Sequence, residues 1–240
     1  MKHLLMGAAA LSLISFSACA QADASGKLDR AEVELIVKEY LLENPEILRE
    51  AFQALEDKEE KAALNAVRDA VFKDPRDISI GPKDAKVTIV EFFDYNCGYC
   101  KRSTDWLKSV MEKHGDEVRI VFKELPLLDG RTKTSRNAAK VALAAARQGK
   151  YSTIHFSLMK ERSLTPERVM QIAEKAGLDM DKLEKDMKDE ALERQINDTI
   201  ILAQRIPALT GTPYFLINDE QVSGANTPEL DRLLKAALGS

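Results

Sequence analysis

The sequence predicts an α/β domain with an inserted helical subdomain, preceded by a helical extension. Three observations lead there. Val87–Phe93 and residues 118–122 are β-branched and aromatic runs separated by a single helix-length segment. A long stretch without strand-like runs, about 133–205, precedes the next such run at Tyr214–Ile217. Upstream, residues 28–74 place apolar side chains at helical rather than alternating spacing.

Composition supports a folded chain. Of 240 residues, 45% are hydrophobic and 31% charged, enough apolar material for a core and too much for wholesale disorder. Lys plus Arg number 35 against 39 Asp plus Glu, a formal net charge of −4. No global basic field exists to hold a phosphate backbone, so no nucleic-acid partner is expected. Three cysteines are too few for a disulfide scaffold.

Taken in order, residues 1–22 read as a signal peptide. Lys2 and His3 open it, residues 4–16 are nearly all apolar or small, and Ala20-Gln21-Ala22 has the small-x-small form of a cleavage site. The apolar run is too short for a membrane span. A second reading stands beside it: Phe16-Ser17-Ala18-Cys19 is similar to a lipoprotein processing box, with Phe16 in place of the usual Leu and Cys19 as the anchored residue. Both readings put the chain in an oxidising compartment, the periplasm, soluble in the first case and anchored in the second.

Residues 23–75 are expected to form a helical oligomerisation extension. Residues 23–27 are a small, polar tether. Val33, Ile36, Val37, Tyr40 and Leu41 share one helical face. Asn44-Pro45 restarts the chain, with Asn44 read as the cap of the next helix. Leu48, Phe52 and Leu55, then Leu64, Val67 and Val71, continue a one-sided stripe to Asp74-Pro75. Such a stripe must bury itself, against either the chain's own domain or a second copy. The sequence reading favours a homo-dimer or homo-trimer through residues 28–74.

Residues 76–240 form the α/β domain. A central strand at Val87–Phe93 leads into a helix at Gly98–His114, and residues 118–122 make the second strand. Gln148-Gly149, Thr165-Pro166 and Gly177 punctuate the helical insert. Tyr214–Ile217 and residues 221–223 make a hairpin around Asn218-Asp219. Thr227 is read as the cap of a last helix that has Pro228 at its start. Strand, helix, strand, helical insert, hairpin, helix is the order of a thioredoxin-like core interrupted by a helical subdomain.

The chemistry centres on Cys97-Gly98-Tyr99-Cys100. Spacing of i and i+3 at a helix start puts both sulfurs on one face, close enough to bridge. Cys97, at the helix N-terminus, gains from free N–H groups and the dipole, which lower a thiol's pKa. It is the candidate attacking thiolate, and the more enclosed Cys100 the candidate resolving thiol. Zinc binding and an inert structural disulfide are the competing readings. Zinc needs about four ligands, and His114 and His155 lack ligand spacing to Cys97. A disulfide across four residues closes little chain. No metal and no cofactor is expected.

The active-site segment Glu91-Phe92-Phe93-Asp94-Tyr95-Asn96-Cys97-Gly98-Tyr99-Cys100-Lys101 resembles that of the DsbA-like branch of the thioredoxin superfamily. Val121-Phe122-Lys123-Glu124-Leu125-Pro126 and Gly211-Thr212-Pro213-Tyr214-Phe215 resemble the following strand and the proline loop of that branch. Tyr40-Leu41-Leu42-Glu43-Asn44-Pro45-Glu46 is similar to the N-terminal extension of its ScsC/Com-type subgroup. The resemblance covers about residues 28–240. It implies Cys97 as nucleophile, Cys100 as resolving cysteine, and Thr212 with a cis Pro213 as a substrate-binding surface. It also implies Glu91 as a buried acid beneath the disulfide, with Lys123 as its charge partner.

Two departures from the family pattern matter. Gly98 and Tyr99 stand between the cysteines where the strong oxidase has Pro-His, so a milder oxidant is expected; Gly-Tyr is also the pair of the dimeric isomerase DsbC. Ile206-Pro207-Ala208-Leu209-Thr210 before Gly211 also differs from the usual loop. The resemblance therefore implies a disulfide isomerase or reductase of misfolded, exported cysteine-containing proteins, kept reduced by a membrane partner of DsbD or ScsB type. The alternatives are a DsbA-like oxidase served by a DsbB-type partner, and a holdase whose redox chemistry is secondary. A copper role suggested by the subgroup's name is indirect, since no paired histidines point to a metal.

Overall fold

The computed structural model describes residues 29–239. The expected signal segment, Cys19 included, and the tether lie outside the described residues. The chain divides into two compact units, one ending at Phe52 and one beginning at Gln53.

The first unit holds α1 (Arg30–Glu43) and the start of α2 (Glu46–Phe72). Asp29 caps α1 in a reciprocal box: its carboxylate accepts from the Glu32 N–H at 2.8 Å, and the Asp29 N–H donates to the Glu32 carboxylate at 3.0 Å. Asn44 ends α1 instead of starting α2, donating its side-chain amide back to the Tyr40 carbonyl at 2.8 Å. Pro45 then prevents α1 from continuing, and α2 starts at Glu46. No residue of α1 is buried; Val33, Ile36, Val37 and Tyr40 are 42–56% exposed. With Leu48 they leave an apolar surface that includes a shallow cleft of about 470 Å³ lined by Val33, Val37, Leu41, Leu42 and Leu48.

The second unit is built on a five-stranded sheet in the order β1-β3-β2-β4-β5. Its strands are β1 (Ile78–Ile80), β2 (Val87–Phe93), β3 (Val118–Glu124), β4 (Tyr214–Ile217) and β5 (Glu220–Ser223). β2 and β3 are parallel, joined by α3 (Gly98–His114); the remaining pairs are antiparallel. Asn218 turns the β4–β5 hairpin at φ +52°, and its side-chain oxygen accepts from the Thr88 N–H at 2.9 Å. Between β3 and β4 lie α4 (Asp129–Thr132), α5 (Ser135–Ala146), α6 (Tyr151–Lys160), α7 (Pro166–Lys175), α8 (Met180–Met187) and α9 (Glu190–Gln204). The last helix, α10, is Thr227–Leu238, and its cap is Asn226, one residue before the expected Thr227.

The two sheet faces carry separate cores. Ile89, Phe93, Ile120, Phe122 and Phe215 pack with α3, α10 and the helical insert. Val90, Phe92, Val121, Tyr214 and Leu216 pack with Leu64, Val67, Val71 and Phe72 of α2 and with Leu202 of α9. The last turns of α2 thus pack on the sheet of the second unit. The stripe at 64–72 has the i, i+3, i+7 spacing of one helix face, and it is spent on the sheet. The apolar surface that stays exposed is that of the first unit. β1 was absent from the sequence reading because it is three half-buried residues with no period to read.

Candidate active site

β2 ends at Phe93 and the chain turns through Asp94, Tyr95 and Asn96 into α3. The Cys97 N–H donates to the Asp94 carbonyl at 3.0 Å. Asp94 is buried and ties the turn down, accepting from the Asn96 N–H at 2.7 Å, the Leu128 N–H at 2.8 Å and the Ser135 hydroxyl at 2.7 Å. Asn96 donates onward to the hydroxyls of Thr134 and Ser135, both at 2.9 Å. Cys97 therefore occupies the N-cap position of α3 with extended backbone, φ −75° and ψ 117°.

Both cysteines are free thiols, Cys97 slightly exposed and Cys100 fully buried. The Thr212–Pro213 peptide bond is cis. The Thr212 carbonyl stands 3.1 Å from Cys97 Sγ and accepts from it when it is protonated. The Cys97 pKa falls to about 5: a hydrogen bond from Cys100 is the largest cause, with help from the Thr212 side chain and from the N–H groups of Cys100 and Tyr99, against the cost of burial. Burial, then the hydrogen bond with Cys97, drives Cys100 well above the ordinary thiol value. One thiol is thus ionised at neutral pH and the other is held as the acid. Titration of the reduced protein by thiolate absorbance at 240 nm should show one transition near pH 5, and Cys97→Ser should remove it. A single transition above pH 8 would contradict this assignment.

Glu91 is fully buried on the α3 face of β2. Its Oε1 accepts from the Ser103 hydroxyl at 3.3 Å and its Oε2 has no partner among the described residues. Burial lifts its pKa to about 8. Lys123 is not its charge partner, which corrects the expected pairing. In the parallel β2–β3 register Glu91 faces Phe122 and Phe92 faces Lys123, so the pleat sends Lys123 to the opposite face. There it pairs with Asp77, both side chains buried, and donates to the Ala70 carbonyl. Of the other expected residues, Gly98 opens α3 with nothing near its missing side chain, and Tyr99 is exposed with the Arg102 guanidinium 4.2 Å over its ring.

A second buried cluster escaped the sequence reading. Tyr95 and Tyr151 both donate to Glu124 Oε1, at 3.0 and 2.8 Å. Tyr95 then has no proton left for His155, whose Nδ1 lies 3.1 Å from the same hydroxyl. His155 Nδ1 therefore donates, leaving Nε2 without a partner among the described residues. Burial lowers the His155 pKa to about 3 and raises that of Glu124 well above the carboxylate range. Burial thus favours the uncharged form of all four groups. They join β3 and α6 to the turn that presents Cys97. The only sequence signal was polar residues inside apolar runs, and their separation by 27 to 60 positions hides the contact.

Comparison with known proteins places this geometry. The family "DSBA-like thioredoxin domain" matches residues 88–236. "Copper resistance protein ScsC N-terminal domain" matches residues 29–62. A thioredoxin-like oxidoreductase from Silicibacter pomeroyi DSS-3 is 35% identical with a TM-score of 0.65, over 72% of this chain and 98% of that one. A linker-deletion mutant of Proteus mirabilis ScsC is 27% identical with a TM-score of 0.70, over 90% and 99%. Among curated proteins, Na(+)/H(+) antiporter NhaA 3 of Salinispora tropica is 31% identical over 167 residues, 69% of this chain. The chain spans about a quarter of the length of that relative (25%), and the antiport in its name is said of that protein. Among the described residues no helix is long and apolar enough to cross a membrane. A cysteine pair at the start of α3, a cis Thr212–Pro213 bond beside Cys97 and these matches agree: the chain belongs to the DsbA-like thioredoxin-domain family of thiol-disulfide oxidoreductases, with an ScsC-type N-terminal domain.

Proposed function

We propose that the protein is a periplasmic disulfide isomerase or reductase of misfolded exported proteins, assembled as a homo-dimer or homo-trimer through its N-terminal unit. The observation that carries this reading is the apolar surface of Val33, Ile36, Val37, Tyr40 and Leu48, which no other described residue of the first unit covers. A second copy is the occupant that would bury it, and catalytic domains gathered on one assembly raise the effective concentration of each second encounter. The signal-like residues 1–22 support export, and a membrane reductant of DsbD or ScsB type would keep Cys97 reduced. Lipid anchoring at Cys19 remains the alternative form of the exported chain.

Cys97 and Cys100 carry the reaction. The Cys97 thiolate attacks a client disulfide; one client S–S bond breaks, a mixed disulfide forms, and the departing client thiolate takes a proton from water. Release follows in one of two ways. Another client thiolate attacks the mixed disulfide, which completes an isomerisation and regenerates the Cys97 thiolate. Otherwise Cys100 loses its proton, attacks Cys97 Sγ and frees the reduced client, leaving the Cys97–Cys100 disulfide. Thr212 and Pro213, beside Sγ, form the surface on which client backbone is laid.

Glu91 is the proton acceptor for Cys100 in this scheme, acting directly or through water. With a pKa of about 8 it is mostly protonated at pH 7 and becomes a base above pH 8. Release by Cys100 should therefore quicken as pH rises through about 8. Glu91→Gln should flatten that rise and slow release by about 10²-fold, the low end for general-base catalysis. Stopped-flow measurement of mixed-disulfide decay reads both, and an unchanged pH profile would remove Glu91 from the mechanism.

One observation favours a second reading, a DsbA-like oxidase served by a DsbB-type partner. A pKa of about 5 lies between those of DsbA (about 3.5) and thioredoxin (about 7), and a stabilised thiolate favours the reduced protein and so the oxidation of clients. The deciding experiment is reactivation of scrambled, fully oxidised ribonuclease by residues 23–240, beside a version lacking residues 23–52. Truncation at 52 keeps Leu64, Val67, Val71 and Phe72 in the core of the second unit, which removal to 75 would strip. Strong reactivation that collapses on truncation supports the isomerase. Weak reactivation by both, with fast oxidation of reduced ribonuclease, puts the oxidase first.

A further inference from the structure

A cationic strip leaves the redox pair on the side of α6 and α7. Lys101 is one helical turn beyond Cys97 on α3, and its Nζ reaches the Arg162 carbonyl at 3.4 Å. From there the connection between α6 and α7 opens onto a cleft of about 300 Å³ lined by Thr153, Ser157, Lys160, Glu161, Arg168 and Lys175. Lys160, Arg162, Arg168 and Lys175 are exposed and Lys101 half-buried. Glu161 is the one acid among them, and it is already engaged by Arg168 at 2.7 Å. Lys160, Arg162 and Lys175 make no ion pair among the described residues. Glu161 also acts on Lys101 and Lys175, and Asp94 and Cys97 act on Lys101, so the strip's five cations are partly offset and its net charge stays positive.

The two sides of α7 differ in charge. The whole chain has a formal net charge of −4. On α7, Arg168, Ile172 and Lys175 face the cleft, while Glu167, Gln171 and Glu174 line a separate surface on its other side. That is the i, i+4, i+7 pattern of one helix face. A row of like charges beside a nucleophile lowers the energy of an incoming segment of opposite charge and speeds its encounter.

We propose that this strip docks acidic segments of client polypeptides, selecting disulfides whose flanking residues are Asp or Glu. The inference rests on the thiol-exchange reading above and adds client selectivity to it. Lys101 meets the residues next to the client cysteine, and the cleft between α6 and α7 takes acidic side chains further along the client. Selection acts mainly on association, because exposed charges steer encounter more than they hold the complex.

The test uses the reduced full-length mature chain and short peptides whose single cysteine is a mixed disulfide with thionitrobenzoate. Attack by the Cys97 thiolate on the peptide sulfur forms the protein–peptide disulfide and expels coloured thionitrobenzoate. The cysteine is flanked by glutamates, glutamines or lysines. At ~20 mM salt the second-order rate constant should be about tenfold higher for the glutamate than for the glutamine peptide, and lowest for the lysine peptide. At ~500 mM salt the three should converge. The double variant Lys160→Glu/Lys175→Glu should bring the glutamate-to-glutamine ratio to about one or below at low salt. Equal rates for the glutamate and glutamine peptides at low salt, or a preference that survives the double variant, would overturn the strip's role. No thionitrobenzoate release from any peptide would overturn the thiol-exchange reading itself, and this inference with it.

Discussion

Cys97→Ser should abolish thiol-disulfide exchange, by at least about 10⁴-fold, whereas Cys100→Ser should keep the first attack and stall after it. The asymmetry follows from the electrostatics of α3. At pH 7 a thiol of ordinary pKa near 8.5 is only a few per cent ionised; with its pKa at about 5, Cys97 is almost entirely thiolate. That is a gain of roughly 30-fold in reactive species, partly offset because a less basic thiolate is a weaker nucleophile. Cys100, buried and pushed the other way, gains nothing until a proton acceptor draws its proton. Cys100→Ser should therefore accumulate a covalent complex with clients, visible on non-reducing gels and dissolved by dithiothreitol. Cys97→Ser should trap none. The first attack by Cys100→Ser should slow as pH falls below about 5, where Cys97 takes up its proton, because the serine hydroxyl can still donate to the thiolate. Trapping by Cys97→Ser in place of Cys100→Ser would reverse the assignment.

The parts of this site that could be read in the sequence are those where local chemistry decides the structure. Val87–Phe93 is β-branched and aromatic because it is buried on both faces, and the pair at Cys97 and Cys100 follows it directly into a helix. The helical punctuation at Gln148-Gly149 and Thr165-Pro166 lies where α5 gives way to α6 and where α7 begins. What could not be read depends on register and distance. Lys123 is one residue from a position facing Glu91, and in a strand one residue is the other face. Glu124 meets Tyr95 because β3 ends beside β2, and Tyr151 because α6 packs there, contacts that no window of sequence contains. Leu64, Val67 and Val71 looked like a continuation of the stripe in α1. Apolar spacing says that a face is buried, and it is silent on what buries it. The structure divides that one stripe between a sheet and an open surface.

The largest stability effect is expected at Lys123, on the face away from the cysteines. Its ammonium is buried against Asp77, with 1% and 4% of the two side chains exposed, and it also holds the Ala70 carbonyl of α2. Burial raises Asp77 to about 6 even though Lys123 pulls it down, so at neutral pH the carboxylate is charged in a place that disfavours charge. Removing the cation leaves that charge uncompensated. Lys123→Met should destabilise the protein by about 3–5 kcal/mol at pH 7.5, a fall in Tm of roughly 6–20 °C for a unit of this size. The sign of the pH dependence follows from the raised pKa. The folded state binds the Asp77 proton more tightly than the unfolded chain does. That contribution is complete below about pH 4 and is lost as pH rises through about 6. In the variant the folded pKa of Asp77 rises further, so the penalty relative to the parent should shrink at pH 5, where both proteins carry the proton. The double variant Lys123→Met/Asp77→Leu should recover most of the loss at pH 7.5, because it removes the stranded charge along with its partner. Hydrogen exchange should localise the damage to the last turns of α2, where the Ala70 carbonyl loses its donor. Denaturant unfolding at the two pH values reads all of these. A loss below about 1 kcal/mol, equal at pH 5 and pH 7.5, would mean that the hydrophobic seat of Leu64, Val67 and Val71 holds α2 on the sheet without the ion pair.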